Sequence, residues 1–237
     1  MTDFSGYNVL VIGGSRGMGA AIVRHFAAAG ANVRFTYAAW RDAAERLARD
    51  TGAEAIQADA AVRDALILAV RDAGPTDILI YNAGLLVVGD PLALEPDDVD
   101  RMIDVNMRGA YHAAVEAART MPDGGRILLI GSDVADSMPW QGLSAYAMTK
   151  ASLQGLTRGL ARDLGPRNIT VNVVQPGPTD TDMNPADGPL SEGALGVMAI
   201  KRYGTVDEVA SLVLYLAGSQ ARGISGSMHT IDGGFAA

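Results

Sequence analysis

The chain has 237 residues, 49% hydrophobic and 19% charged, and 27 acidic against 19 basic residues leave a formal net charge of −8. This is the composition of a folded protein with one sizeable core, and its acidity is a poor match for nucleic acid or an anionic membrane surface. Cysteine is absent, which excludes disulfides, Cys-ligated zinc and thiol catalysis. Three histidines, at 25, 112 and 229, are too scattered for a metal site, so no metal is expected. In chain order, the opening MTDFSGYNVLVIGGS has no basic segment leading into a long apolar one. No apolar run approaches the roughly 18 residues that span a bilayer, so a soluble cytoplasmic protein is expected, with no membrane partner. Short apolar runs then alternate with amphipathic stretches. Strands are expected at 9–12, 32–37, 55–57, 78–81, 126–130, 170–174 and 228–231, and helices at 18–29, 41–50, 61–73, 96–120, 144–164 and 206–217. Strands apolar on both faces and separated by helices predict a parallel sheet with right-handed crossovers. The expected fold class is therefore α/β, a doubly wound Rossmann sheet of about seven strands in one domain over 1–237. The Pro- and Gly-rich interval 176–199 has no clear period, as a lid or a disordered linker would not, and its place after a strand end favours a substrate lid over the ligand crevice at 178–200.

The segment VLVIGGSRGMGAAI sets Gly13, Gly17 and Gly19 between a strand and a helix, spaced G-x-x-x-G-x-G. Glycines there serve a tight turn, close approach of a pyrophosphate and close helix–strand packing, while the helix N-terminus offers free N–H groups to the phosphates. In the general dinucleotide scheme an acid near the end of the second strand holds the ribose 2′-OH of NAD. That position falls near Thr36 or Tyr37, and neither is acidic. Arg16, inside the turn, is suited to pair with a 2′-phosphate instead, and Arg41 is a weaker second candidate.

Tyr146 and Lys150 form Y-x-x-x-K, which puts both side chains on one helix face about a turn apart. Only Lys150 and Lys201 are lysines among the 19 basic residues, so this spacing is rarely met by chance here. Ser132 ends the fifth strand 14 residues before Tyr146, and Asn106 lies in the connection between the fourth and fifth strands. Reduction of a carbonyl needs a hydride and a proton. A phenol beside an ammonium can give that proton and recover it. At about 4 Å and an effective dielectric of about 20, such a pair gains roughly 4 kcal/mol, a depression of up to about three pKa units. A serine hydroxyl can align and polarise the substrate oxygen.

These features resemble the short-chain dehydrogenase/reductase family along essentially the whole chain. The resemblance rests on the glycine turn, Tyr81-Asn82-Ala83-Gly84, Ser132, the Tyr146–Lys150 pair, Pro176-Gly177 and the Ile231–Gly234 IDGG. Two positions depart from the family pattern: Ile12 stands where the turn usually has Thr, and Tyr81 where N-N-A-G has its first Asn. The resemblance implies a catalytic tetrad of Asn106, Ser132, Tyr146 and Lys150. In it Lys150 lowers the Tyr146 pKa and holds the nicotinamide ribose, and Asn106 supports a proton relay. It implies cofactor contacts from Gly13, Ser15, Arg16, Gly17, Met18, Gly19, Tyr37, Asp59, Ala60, Asn82, Ala83, Gly84, Tyr146, Lys150, Pro176, Gly177, Thr179 and Thr181. Asp59 would meet the adenine, and a basic turn residue without the acid implies NADP(H) over NAD(H). The substrate is expected to be a small carbonyl compound or alcohol lined by Asp133, Met138, Trp140, Pro178, Met183 and the lid. A homotetramer or homodimer through the helices at 96–120 and 144–164 is also implied. Within the family, GANVRFTYA, VVQPGPTDTD and MHTIDGG resemble a cyclic-di-GMP-binding subgroup, which implies an alternative: sequestration of that dinucleotide to promote biofilm dispersal. The only spacing for it, Arg101-Met102-Ile103-Asp104, falls within a predicted helix and carries almost no weight.

Overall fold

A computed structural model describes residues 3–237. Its sheet has seven strands in the order β3-β2-β1-β4-β5-β6-β7. The strands are β1 Asn8–Ile12, β2 Asn32–Tyr37, β3 Glu54–Gln57, β4 Ile78–Tyr81, β5 Arg126–Ile130, β6 Thr170–Pro176 and β7 Met228–Ile231. Every pairing is parallel, so the doubly wound α/β expectation holds. The helices are α1 Gly17–Ala28, α2 Arg41–Thr51, α3 Arg63–Asp72, α4 Pro96–Ile103, α5 Ala110–Thr120, α6 Ser144–Leu164, α7 Ser191–Val197 and α8 Val206–Ala217. Among the described residues, no helix is long and apolar enough to cross a membrane.

Alternation along each strand divides the core in two. Val9 and Val11 of β1 join Ile22 and Phe26 of α1, Leu47 of α2 and Val213 of α8 on one face. Leu10 and Ile12 join Leu66 of α3, Ala113 of α5 and Leu153 of α6 on the other. Because both faces are covered, the strands read as continuous apolar runs. The chain leaves β1 toward β2 on one side and reaches β4 on the other, so a crevice opens at the carboxyl ends of β1 and β4.

Two local expectations are corrected. The single helix at 96–120 is interrupted by a π-helical turn, Asp104–Gly109, between α4 and α5. Its cause lies in β4: the Tyr81 hydroxyl donates to the Val105 carbonyl at 2.6 Å. A Cβ on Gly109 would stand only 2.3 Å from that same hydroxyl. The interval 176–199 also contains a short helix, α7, whose Ala194 is buried; its glycines hid the period.

Candidate active site

The crevice is a cleft of about 310 Å³ that reaches from the glycine turn to Tyr146 and Lys150. The turn itself is held from β2. Thr36 accepts the Gly13 N–H on Oγ1 at 3.0 Å and the Gly14 N–H on its carbonyl at 2.9 Å. Ile12, where the family pattern has Thr, is fully buried, so the hydroxyl that ties this turn comes from the neighbouring strand. Gly13 has a φ of +79°, and a Cβ there would meet the Ala83 Cα at 2.7 Å. At Gly19 a Cβ would fall 2.2 Å from the Gly13 oxygen and 2.6 Å from Asn82 Nδ2. Asn82 Nδ2 donates to that oxygen at 2.7 Å. The turn is thus pressed onto the end of β4, and only glycine fits.

No side chain caps the start of α1, and its first turn holds no acid. The N–H groups there remain open to an anion, and Ser15, Gly17 and Met18 line the cleft beside them. Arg16 also lines it, paired with Asp182 and stacked 5.2 Å from the Trp40 ring centroid. Arg41 instead bonds Gln57 at 2.8 Å and lies near Glu45, outside the lining residues. Asp59 lines the cleft with Ala60 and Tyr37. Its carboxylate accepts the Ala61 N–H at 2.9 Å and Arg101 Nη2 at 2.8 Å. Burial opposes its charge, but these donors outweigh burial and hold its carboxyl below the usual range. An open helix end, a glycine cradle, a basic turn residue and a buried Tyr37 in place of an acid suit a dinucleotide with a 2′-phosphate.

At the far end, Tyr146 and Lys150 of α6 line the same cleft with Ile130 and Gly131. Lys150 Nζ donates to the Ile130 carbonyl at 3.0 Å and lies 5.8 Å from the Tyr146 ring centroid. Asn106, in the π-turn, accepts the Leu85 N–H at 2.8 Å. It donates to the Leu85 carbonyl and to Thr149 Oγ1, each at 2.9 Å. Gly84 keeps open the space between the two: a Cβ there would be 3.4 Å from Lys150 Nζ and 3.6 Å from Asn106 Oδ1. Ser132 follows β5, is buried beside Tyr146, and donates to Asp133 Oδ1 at 3.1 Å.

The expected depression of the Tyr146 pKa is not found. Burial pushes the phenol up to about 12, Ser132 opposing and Asp133 adding to the rise. Burial also brings Lys150 down to about 8, so dehydration, rather than the charge of the pair, dominates both groups.

Of the other expected contacts, Asn82, Ala83, Gly84 and Thr181 line the cleft. Gly19 acts from behind the turn, and Pro176, Gly177 and Thr179 do not line it. Thr179 is buried, its hydroxyl donating to the Gly177 carbonyl at 3.0 Å. Met183 reaches the cleft, but Asp133 is 2% exposed and faces no solvent. Trp140 stacks edge-on against Phe235. Thr36, Trp40 and Asp182 are cleft residues that the motifs did not indicate, and Arg101, named only in the R-x-x-D spacing, lines the cleft as well. Of the first three, Thr36 alone had a signal, its place at the end of β2.

Residues 12–236 match the family model described as enoyl-(acyl carrier protein) reductase. The chain is 58% identical over 237 residues to the cyclic-di-GMP-binding biofilm dispersal mediator protein of Escherichia coli (strain K12), covering 100% of both chains. It superposes on a crystal structure of BdcA in complex with NADPH with a TM-score of 0.97 at 58% identity, covering 99% of this chain and 96% of that one. A short chain dehydrogenase from Burkholderia cenocepacia J2315 in complex with NADP gives a TM-score of 0.97 at 46% identity, with 99% of each chain covered. Glycine turn, Y-x-x-x-K helix and relatives agree: the chain belongs to the short-chain dehydrogenase/reductase family.

Proposed function

We propose that this protein is an NADP(H)-dependent oxidoreductase that interconverts a small carbonyl compound and its alcohol. The observation that carries the reading is that Tyr146 and Lys150 open into the same cleft as the glycine turn. The NADPH and NADP of the two related crystal structures support the cofactor. The start of α1 with Ser15, Gly17 and Met18 would hold the pyrophosphate, and Arg16 the 2′-phosphate. Tyr37, Asp59 and Ala60 would enclose the adenosine, and Asn82, Ala83, Gly84 and Thr181 the nicotinamide half. Bound there, the cofactor supplies or accepts a hydride.

The side chains do the rest. Tyr146, a neutral phenol at neutral pH with its pKa near 12, donates a proton to the substrate oxygen in reduction and takes one back in oxidation. Lys150, still mostly charged at pH 7, holds the ribose and favours recovery of that proton. Ser132 aligns the substrate oxygen. Asn106 fixes Leu85 and Thr149 and faces Lys150 across the gap at Gly84, where it supports the proton relay. The segment 178–200 serves as the lid, its Asp182 reaching the turn at Arg16. Half-exposed Tyr111 on α5 and Met148 on α6 suit assembly as a homodimer or homotetramer. A cytoplasmic location suits a chain without cysteine.

Cyclic-di-GMP binding comes from the name of the E. coli relative. Of the Arg101–Asp104 spacing, Arg101 lines the cleft, paired with Asp59, while Asp104 does not line it and is paired with Arg108. The test is a panel of carbonyls and alcohols followed at the nicotinamide absorbance with both cofactors. Turnover favouring NADPH, lost in Tyr146→Phe, is expected. Tight cyclic-di-GMP binding with no turnover of any substrate would overturn the enzymatic reading.

A further inference from the structure

Among the described residues, Asp133 is the only buried carboxyl group. It follows Ser132 directly, at the start of the single 3-10 turn that leaves β5. The Ser132 hydroxyl donates to its Oδ1 at 3.1 Å, while its Oδ2 is buried with no partner. Gly177 faces Oδ2: a Cβ there would stand 2.9 Å from it and 2.7 Å from the Asp232 Cα.

The charged and titratable neighbours come from four places. On its own turn, Asp136 is bound by Gln154 and Gln175. On α6, Tyr146 feels its charge, and Lys150 commits its ammonium to the Ile130 carbonyl at 3.0 Å. After β7, Asp232 spends its oxygens on the N–H groups of Gly234 and Ala236. After β6, Gly177 offers no charge. Among the described residues no cation is directed at Asp133, and a second carboxylate, that of Asp232, belongs to the residue across Gly177 from it. Burial first, and Asp232 in addition, push Asp133 up to about 7, against the hydrogen bond from Ser132.

A hydroxyl has one hydrogen to give. When Asp133 is a carboxylate it accepts that hydrogen, and Ser132 has none for a substrate. When Asp133 is a neutral acid, its own O–H can donate to Ser132 Oγ, and the serine hydrogen turns toward the cleft. We propose that Asp133 is a positioning residue that selects the direction of the Ser132 hydroxyl, its acid form freeing the serine hydrogen for a carbonyl oxygen and its carboxylate form withdrawing it. This rests on the reading of Ser132 as the substrate-oxygen ligand. The proton on Asp133 comes from solvent and stays there; the proton delivered to substrate remains that of Tyr146.

The experiment has two arms. In the first, the protein without cofactor carries ¹³C-labelled aspartate, and carboxyl titrations are followed by NMR. One carboxyl should titrate near pH 7, vanish in Asp133→Asn, and move higher in Ser132→Ala, which removes the hydrogen bond that holds it down. In the second, kcat/KM for carbonyl reduction with NADPH is measured against pH. The wild type should fall about twentyfold between about pH 6 and pH 8, about tenfold through Asp133 and about twofold through Lys150. Asp133→Asn, whose amide N–H donates to Ser132 as the acid form does, should fall only about twofold, through Lys150. A merely structural Asp133 would lower the amplitude and leave the profile unchanged. Titration in the ordinary carboxylate range, or an unchanged profile in Asp133→Asn, overturns the proposal. Full activity of Ser132→Ala would instead overturn the reading of Ser132 beneath it. If Asp133→Asn does not fold, the wild-type and Ser132→Ala titrations still decide.

Discussion

Adding one methyl group at Gly19 tests whether the glycine turn is built by packing. An alanine Cβ would sit 2.2 Å from the Gly13 carbonyl oxygen, 2.6 Å from Asn82 Nδ2 and 3.1 Å from the Gly14 Cα. Neither backbone atom can yield, because Thr36 holds the N–H groups of Gly13 and Gly14 at 3.0 and 2.9 Å. Asn82 can move only by giving up its 2.7 Å bond to the Gly13 oxygen. To reach an ordinary contact of about 3.5 Å, α1 must back away from β1 by roughly an ångström. That shift would disturb Ile22, Val23 and Phe26, none of which is exposed. Overpacking costs about 1–3 kcal/mol, and stranding a buried polar group about 1–3 kcal/mol, so Gly19→Ala should lose about 2–6 kcal/mol in urea unfolding. NADPH binding, read by its fluorescence, should weaken in parallel. Gly159→Ala is the control, since nothing lies within 4 Å of a Cβ at that position on α6. It should gain about 0.5–1 kcal/mol from helix propensity. A Gly19→Ala protein with wild-type stability and wild-type NADPH affinity would refute the packing argument.

Arg16→Gln should weaken NADPH binding about 10- to 100-fold, the worth of hydrogen bonds to a charged group, and leave NADH nearly unaffected. Equal losses for both cofactors in a binding titration would remove Arg16 from the 2′-phosphate. Lys150→Met should abolish turnover yet stabilise the fold at pH 7. Burial lowers the native Lys150 pKa from 10.5 to about 8, so between those values the unfolded chain binds the extra proton and stability rises with pH. Below pH 8 the penalty is complete, with a ceiling of about 3 kcal/mol, and this is what the methionine recovers. Denaturation curves at pH 7 and at pH 10.5 should show the advantage of Lys150→Met shrinking at the higher pH; a constant difference would contradict it.

What the sequence made legible is what depends on neighbours along the chain. The strands came within two residues of their limits because a parallel strand buried on both faces reads as a continuous apolar run. Tyr146 and Lys150 were found because four residues on a helix is one turn wherever that helix lies. What stayed hidden depends on contacts made across the fold. The π-turn that brings Asn106 inward follows from the Tyr81 hydroxyl reaching Val105 across 24 residues. Arg16 meets Asp182 across 166 residues, which no motif encodes. The direction of the Tyr146 pKa was misread for the same reason: an ion-pair argument needs only spacing, whereas dehydration is a property of everything packed around the pair.

Ile12 carries the most general consequence. Read letter by letter, it removes a hydroxyl from the glycine turn and puts the turn geometry in question. Parallel register sets Val11 of β1 beside Phe35 of β2, so the next residue, Thr36, lies alongside the turn and bonds the Gly13 N–H through Oγ1. With that donor satisfied from β2, position 12 is free to be a fully buried isoleucine. A missing motif residue is therefore tolerable where register supplies an equivalent group from the adjacent strand. Glycines 13 and 19 have no such substitute, because what they supply is the absence of atoms.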